Sequence, residues 1–281
     1  MEPKVRLGLV QMSMSKRPDD NVKKALKGVE EAARKGAQIV CLPELFAWRY
    51  FPTARASKEE PQKVPGPISR VLSKSAKSNG VVLVGGSIYE ESGRKRYNTC
   101  LVFDERGEVV SKYRKVHIPQ DEHYYEQDFF DSGGSYAVAK TRYGRLGALI
   151  CFDQWYPEAA RVNRLMGADM LFYPTAIGWV KGIDPVEGDW KQAWEAVQVG
   201  HAIANSVAVC AVNRVGTEGS TTFWGGSFVC DQFGKVLFRA GDQEGVYTAD
   251  VPTGLGKMVE EGWGFMHNRR WRTYSAIGKG K

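Results

Sequence analysis

Gly147-Ala148-Leu149-Ile150-Cys151-Phe152-Asp153-Gln154-Trp155-Tyr156-Pro157-Glu158 is the stretch on which the reading turns. An apolar run ends at Ile150, and a helix opens at Pro157, where the missing N–H of proline costs nothing. A buried strand that turns here into a helix would leave the Cys151 thiol exposed at the rim of a sheet. The positive end of the following helix favours a thiolate. Most free cysteines are merely small buried apolar residues, so the surroundings decide which kind this one is.

Outward from Cys151 the chain alternates strand and helix. Val5–Met12 and Gln38–Leu42 read as strands, and Asp19–Lys35 carries Val22, Ala25, Leu26, Val29, Ala32 and Ala33 on one helical face. Asp19 or Asp20 is expected to cap that helix and Gly36 to end it. Pro67–Asn79 reads as a helix stopped by Gly80, and Val81–Tyr89 and Thr99–Phe103 as strands. Helices Pro157–Met166 and Asp189–Asn205 are followed by strands Ala168–Tyr173 and Val207–Val212. Leu101–Val110 and Phe228–Leu237 resemble each other, each with Asp and Gly three apart in a tight turn (Asp104 and Gly107, Asp231 and Gly234). Paired hairpins imply a pseudo-symmetric body of two sheets. They are too many for an all-parallel sheet, and no G-x-G-x-x-G follows the first strand. An α/β class, layered-sandwich architecture is predicted. With no linker or low-complexity segment, residues 1–281 read as one domain, with 263–281 a tail expected at a subunit interface.

Composition narrows the function. The 281 residues are 43% apolar and 25% charged, an ordinary globular balance. No apolar run is long enough to span a bilayer and no signal-peptide core opens the chain, so a cytoplasmic protein is expected. Five cysteines (Cys41, Cys100, Cys151, Cys210, Cys230) lie far apart with no C-x-x-C pair, against a disulfide framework or thiolate zinc site. Four histidines form no H-E-x-x-H, so no metal is expected. The net charge of +7 is scattered apart from Arg269, Arg270 and Arg272, with Lys279 and Lys281 beyond. Without an RNA-binding signature this reads as a solvated or subunit-crossing tail, and no nucleic-acid partner is expected.

A thiol nucleophile needs a base, and acyl transfer needs a donor for the oxyanion. Glu44 and Lys115 follow predicted strands, as Cys151 does, and the carboxyl ends of strands line ligand crevices in open α/β sheets. Alone, Glu44 and Lys115 would each read as a surface charge. His117 and His201 are the alternative bases, of a Cys–His hydrolase.

Three motifs lift the combination: Leu42-Pro43-Glu44-Leu45-Phe46, Tyr113-Arg114-Lys115-Val116-His117-Ile118-Pro119, and Ile150 to Glu158. In this order they resemble the Glu, Lys and Cys motifs of the nitrilase superfamily of carbon–nitrogen hydrolases, over nearly the whole chain. The resemblance implies a four-layer αββα sandwich, homo-oligomers of two or more subunits, a small-molecule substrate and no cofactor. It implies Glu44 as base, Cys151 as nucleophile, and Lys115 with the Phe152 N–H as oxyanion donors. A second glutamate falls at Glu126 within Tyr124-Tyr125-Glu126-Gln127-Asp128-Phe129-Phe130, with Glu122 and Asp128 as competitors.

Within the superfamily the chain most resembles the N-carbamoylputrescine amidohydrolases, through Cys151–Arg161, Leu171–Gly178, Asp189-Trp190-Lys191, Gly200-His201-Ala202 and Trp263-Gly264-Phe265. Relatives that take carbamoyl amino acids carry an arginine shortly after the nucleophile, where it can grip a carboxylate. None stands at 152–155 here. Tyr50, Trp155, Thr175 and Ala176 are the candidate substrate contacts, and Trp48, Tyr50, Trp155 and Trp179 offer faces for an alkyl chain or an ammonium. The segments 47–52, which introduces Arg49, and 120–125 depart from those relatives. Asp121, Glu122 and Asp128 would make an acidic mouth that overrides the positive net charge. An amidase of the same mechanism on ω-amides, β-ureido acids or nitriles is the alternative.

Overall fold

Alternation of side chains along the short strands sorts the protein into layers. In the computed structural model, which describes residues 3–183 and 186–278, the chain runs through β1 (Lys4–Gln11), α1 (Pro18–Arg34), β2 (Ile39–Cys41), α2 (Pro67–Asn79), β3 (Val82–Val84), β4 (Ile88–Ser92), β5 (Lys95–Phe103) and β6 (Val109–Arg114). Next come β7 (Gln120–Asp121), β8 (Tyr124–Tyr125), β9 (Val138–Thr141), β10 (Gly144–Ala148), α3 (Pro157–Leu165), β11 (Met170–Thr175) and β12 (Gly178–Val180). The last part holds α4 (Trp190–Asn205), β13 (Ala208–Asn213), β14 (Val215–Glu218), β15 (Thr221–Trp224), β16 (Phe228–Cys230), β17 (Val236–Arg239), β18 (Gly245–Pro252) and α5 (Leu255–Trp263).

The first sheet has seven strands: β18, β1, β2, β3 and β5 lie side by side, and β4 and β6 also pair with β5. The second has six, in the order β17-β16-β13-β11-β10-β9. Ile39, Cys41, Val82, Val84, Cys100 and Val102 face the second sheet and pack with Leu146, Ala148, Phe172 and Val209. Their alternates Val40, Leu42, Leu83, Leu101 and Phe103 face outward onto Ala25, Val29 and Ala32 of α1 and Leu72 and Ala76 of α2. α3 and α4 cover the other side of the second sheet through Ala159, Ala160, Trp194 and Ala202. The result is a four-layer αββα sandwich. α1 lies close enough to β1 that a Cβ on Gly8 would stand 2.8 Å from that of Ala32, and one on Gly28 would stand 2.5 Å from a methyl of Val10. Two glycines thus set the helix-to-sheet distance.

The twin hairpins have matching chemistry. Gly107 N–H bonds the Asp104 carbonyl at 2.9 Å and Gly234 N–H that of Asp231 at 3.1 Å, with φ +82 and +85 at the glycines. In each turn the aspartate Oδ1 accepts the N–H groups two and four residues on.

Several expectations change. Val81–Tyr89 is two strands, because the chain bends at Gly85-Gly86. A side chain at Gly86 (φ +61) would collide with the Pro43 carbonyl at 2.3 Å. Neither Asp19 nor Asp20 caps α1: Arg17 is the N-cap, Pro18 opens the helix and the two aspartates sit in its first turn, where they still favour the positive end of the helix dipole. No helix among the described residues is long and apolar enough to cross a membrane. Lys279 and Lys281 of the tail lie outside the described residues.

Candidate active site

Four loops converge where strands of the two sheets end. Glu44 follows β2, on a backbone bent by Leu45 (φ +46), whose N–H donates to Ser87 Oγ at 2.9 Å. Lys115 follows β6. Its N–H donates to the Asn98 carbonyl at 2.9 Å, and its own carbonyl accepts the Gly133 N–H at 2.8 Å. Glu126 opens a short 3-10 turn after β8. Cys151 begins another, Cys151–Trp155, in a left-handed backbone conformation (φ +44) that few side chains adopt.

The structure brings Glu44, Lys115 and Glu126 into one buried cluster. Lys115 Nζ lies 2.9 Å from Glu44 Oε1 and 2.8 and 2.7 Å from the two oxygens of Glu126, and all three residues are wholly buried. Asn98 Nδ2 donates to Glu44 Oε1 at 2.8 Å and Tyr50 Oη to Glu126 Oε1 at 2.6 Å. Glu44 Oε2, also buried, has no hydrogen-bond partner among the described residues. Of the three acids near 126, Glu126 meets the lysine. Glu122 is exposed, and Asp128 is half-buried and bonded to Gln120 at 3.1 Å and Arg55 at 3.4 Å.

Electrostatics follow from burial. Desolvation alone would lower the Lys115 ammonium, but Glu126 and Glu44 outweigh it and hold the lysine well above its ordinary value. Desolvation lifts Glu126 to about 7 against the pull of Lys115, with Glu44 adding repulsion. Cys151 is a correction: the sequence predicts an exposed thiol primed by a helix end, but it is 6% exposed and its pKa is pushed well above that of an ordinary thiol. Burial is the main cause, with Glu44 next, and Lys115 opposes both. The α-helix that would favour a thiolate begins only at Pro157, beyond the 3-10 turn. At neutral pH Cys151 rests as a thiol, and reaction through it would need a base.

Phe152 is the second residue of the 3-10 turn, so its N–H belongs to the turn's free amino end. The Ala176 carbonyl lies 3.8 Å from Cys151 Sγ. Tyr50 and Tyr124 border the cluster: their hydroxyls are pushed up by burial and, in turn, by the nearby Glu126, Glu44 and Cys151. Thr175 does not present its hydroxyl, which is fully buried and donates to the Tyr173 carbonyl at 2.9 Å. Trp155 is half-buried against the inter-sheet core and makes no polar contact with the cluster. His117 Nδ1 lies 2.7 Å from Asp153 Oδ1 and His201 Nε2 2.8 Å from the Gln154 carbonyl, so one nitrogen of each ring is engaged by a partner other than the thiol.

Sequence reasoning missed two residues. Asn98 bonds both the Glu44 carboxylate and the Lys115 N–H. Arg214, wholly buried at the end of β13, donates to the carbonyls of Glu44 at 2.6 Å, Leu45 at 3.2 Å and Trp48 at 3.3 Å, and to Glu218 Oε1 at 3.0 Å. Glu218 Oε2 in turn accepts the Tyr50 N–H at 2.6 Å. The available signal was position: an arginine directly after a strand that is apolar up to its final Asn213, at the sheet end where Cys151 stands. Among the described residues no group of His, Cys, Asp or Glu side chains has the arrangement of a metal site.

The carbon-nitrogen hydrolase family profile matches residues 6–258. An N-carbamoylputrescine amidase of Solanum lycopersicum is 36% identical, covering 97% of this chain and 94% of its own. An omega-amidase of Xenopus laevis is 38% identical over 88% of each chain. A crystal structure of a carbon-nitrogen hydrolase from Helicobacter pylori G27 superposes with a TM-score of 0.93 at 33% identity, covering 99% of both chains. By family profile, relatives and fold, the chain belongs to the carbon–nitrogen hydrolases of the nitrilase superfamily.

Proposed function

We propose that the C–N bond this enzyme hydrolyses is that of N-carbamoylputrescine, giving putrescine, ammonia and carbon dioxide through a carbamoyl-enzyme. One observation carries the reading: the buried cluster sets one ammonium between two carboxylates with no free arginine beside the nucleophile. Such a site offers a carboxylate no guanidinium in the residues that follow Cys151, and suits a substrate whose far end is an ammonium. Tyr50 and Phe223 already carry the Arg214 guanidinium at 5.8 and 5.1 Å, and Tyr124, packed on Tyr50 at 5.7 Å, is the part-buried ring that suits an alkylammonium chain.

Glu44 accepts the thiol proton through its unpartnered oxygen as Cys151 Sγ attacks the carbamoyl carbon. Lys115 and the Phe152 N–H stabilise the oxyanion. The C–N bond breaks, Glu44 returns the proton to the departing amine, and a carbamoyl thioester remains. Water, deprotonated by Glu44, attacks the thioester. Sulfur leaves and recovers the proton, and the released carbamate decomposes to ammonia and carbon dioxide. Glu126 orients Lys115 and the substrate nitrogen.

A second reading rests on Arg49, part-exposed on the Glu44 loop and only loosely paired with Glu218 at 3.8 Å. It could take the carboxylate of an ω-amide or β-ureido acid. Ammonia and carbon dioxide release on a panel of N-carbamoylputrescine, ω-amides, β-ureido acids and nitriles separates the two. Turnover of the carboxylated substrates with N-carbamoylputrescine inert, abolished by Arg49→Gln, would replace the first reading with the second. Glu44→Gln and Cys151→Ala are expected to be inactive and His117→Ala and His201→Ala to retain turnover. The reverse pattern would assign a Cys–His mechanism.

We also propose a homo-oligomer whose interface takes in the tail. Trp263, Trp271 and Ile277 are 62, 65 and 63% exposed, and such a row of large apolar side chains is a surface that association covers. Truncation after residue 262 is expected to lower the mass in light scattering. An unchanged mass would remove the tail from the interface.

A further inference from the structure

The cluster draws on both sheets: Glu44, Lys115 and Glu126 sit on loops that follow strands or hairpins outside the second sheet, and Cys151 follows the second sheet's β10. Something must fix the thiol relative to the lysine across that seam. Resting on the proposed cysteine mechanism, we infer that Asp153 is the positioning residue that holds the Lys115 loop and the Cys151 turn in one geometry. Its carboxylate is wholly buried and accepts four hydrogen bonds. Oδ2 accepts Tyr113 Oη at 2.7 Å and the Ile150 N–H at 2.9 Å. Oδ1 accepts the His117 N–H at 3.1 Å and lies 2.7 Å from His117 Nδ1. Tyr113 and His117 flank Lys115 at two residues on either side, and Ile150 directly precedes Cys151. One side chain therefore fastens both neighbours of the lysine to the residue before the nucleophile. The His117 ring is fixed from its other side by stacking on Tyr156, with centroids 3.6 Å apart and planes 6° from parallel.

The bonding pattern makes a carboxylate obligatory. Each Asp153 oxygen accepts one backbone N–H, from Ile150 or from His117. An asparagine offers one oxygen and one NH2, so whichever way it lies, the NH2 faces a backbone N–H. Tyr113 could reverse its hydroxyl and His117 its tautomer, but a backbone N–H cannot. Asp153→Asn, nearly isosteric, thus opens one of the two anchors.

The test uses the whole enzyme with two variants and two readouts. Asp153→Asn is expected to lower kcat at least 100-fold with KM within about threefold of wild type. Tyr113→Phe, which keeps the ring packing and removes the donor to Asp153 together with the longer contact that accepts the Val116 N–H at 3.2 Å, is expected to lower kcat about 10-fold. The double variant should be no slower than Asp153→Asn, because both act through one carboxylate. Alkylation of Cys151 by iodoacetamide needs no substrate: displacing the thiol from the cluster of Glu44, Lys115 and Glu126 relieves the burial and carboxylate repulsion that outweigh Lys115, so the pH midpoint of alkylation should move downward in Asp153→Asn. If Asp153→Asn lowers only the melting temperature, with kcat and the alkylation midpoint unchanged, Asp153 is merely structural and the inference fails. Multiplying losses in the double variant would also overturn it. Should Asp153→Asn not fold, Tyr113→Phe with unchanged kcat and midpoint decides against it. If instead wild type turns over none of the substrate panel, the functional reading fails while the alkylation arm still tests Asp153.

Discussion

Arg214→Met isolates a buried charge whose worth can be worked from its contacts. The guanidinium is wholly buried, 3.0 Å from Glu218 Oε1 and within bonding distance of three loop carbonyls. Methionine fills similar volume and offers no donor. Three carbonyls lose a partner, and the Glu218 carboxylate, 5% exposed, keeps the Tyr50 N–H and the distant Arg49. Breaking a buried pair from one side costs about 3–5 kcal/mol, because an uncompensated charge stays behind. At about 2–4 °C per kcal/mol for a chain approaching this size, the melting temperature should fall by roughly 10 °C. Glu218→Gln in the same chain removes the stranded charge, so the double variant should recover about half of the loss, which a double-mutant cycle by differential scanning calorimetry measures. Because Arg214 also carries the Glu44 carbonyl, turnover should drop even well below the melting temperature. A melting temperature within about 2 °C of wild type, or a double variant that loses the sum of the two singles, would refute the reasoning.

Glu126→Gln tests the strained carboxylate. An ordinary unfolded glutamate titrates near about 4.3, whereas burial lifts Glu126 to about 7. Between those values the folded chain binds more protons than the unfolded, so this group makes stability fall as pH rises through the window. The variant's melting temperature should therefore fall less from pH 5 to pH 7, and an identical slope would rule out this titration. Native labelling with a small thiol reagent should modify only Cys151, since Cys41, Cys100, Cys210 and Cys230 are at most 1% exposed; mass spectrometry showing equal labelling of all five would contradict the burial. Gly147→Ala should cost about 1–3 kcal/mol by overpacking, because its Cβ would stand 2.6 Å from Asn163 Oδ1 and 2.8 Å from Leu171 Cδ2. Denaturant unfolding with an unchanged midpoint would show that α3 yields.

Much of this was legible in the chain because the signals are local. The apolar stripe of α1, the Gly80 stop of α2 and the paired Asp–Gly turns each follow from a few adjacent residues. Glu44 and Lys115 read locally as surface charges, and it is the resemblance of their motifs, in order with that of Cys151, that singles them out. Local sequence is silent on partners far along the chain. Arg214 reads as an arginine after a strand, and its bonds reach back 166 to 170 positions. Asn98 reads as one polar residue in a hairpin. Among Glu122, Glu126 and Asp128, composition cannot choose; the 3-10 turn at Glu126 aims one of them inward. The exposed, primed thiol failed for the same reason, since burial is a property of the whole sandwich.

The split of the cluster across two sheets has a consequence for the protein while it is being made. Cys151 sits on one half and Glu44 and Lys115 on the other, so on the proposed mechanism a chain whose sheets have not packed together has the thiol without its base. By that reading turnover reports that the two sheets are packed against each other.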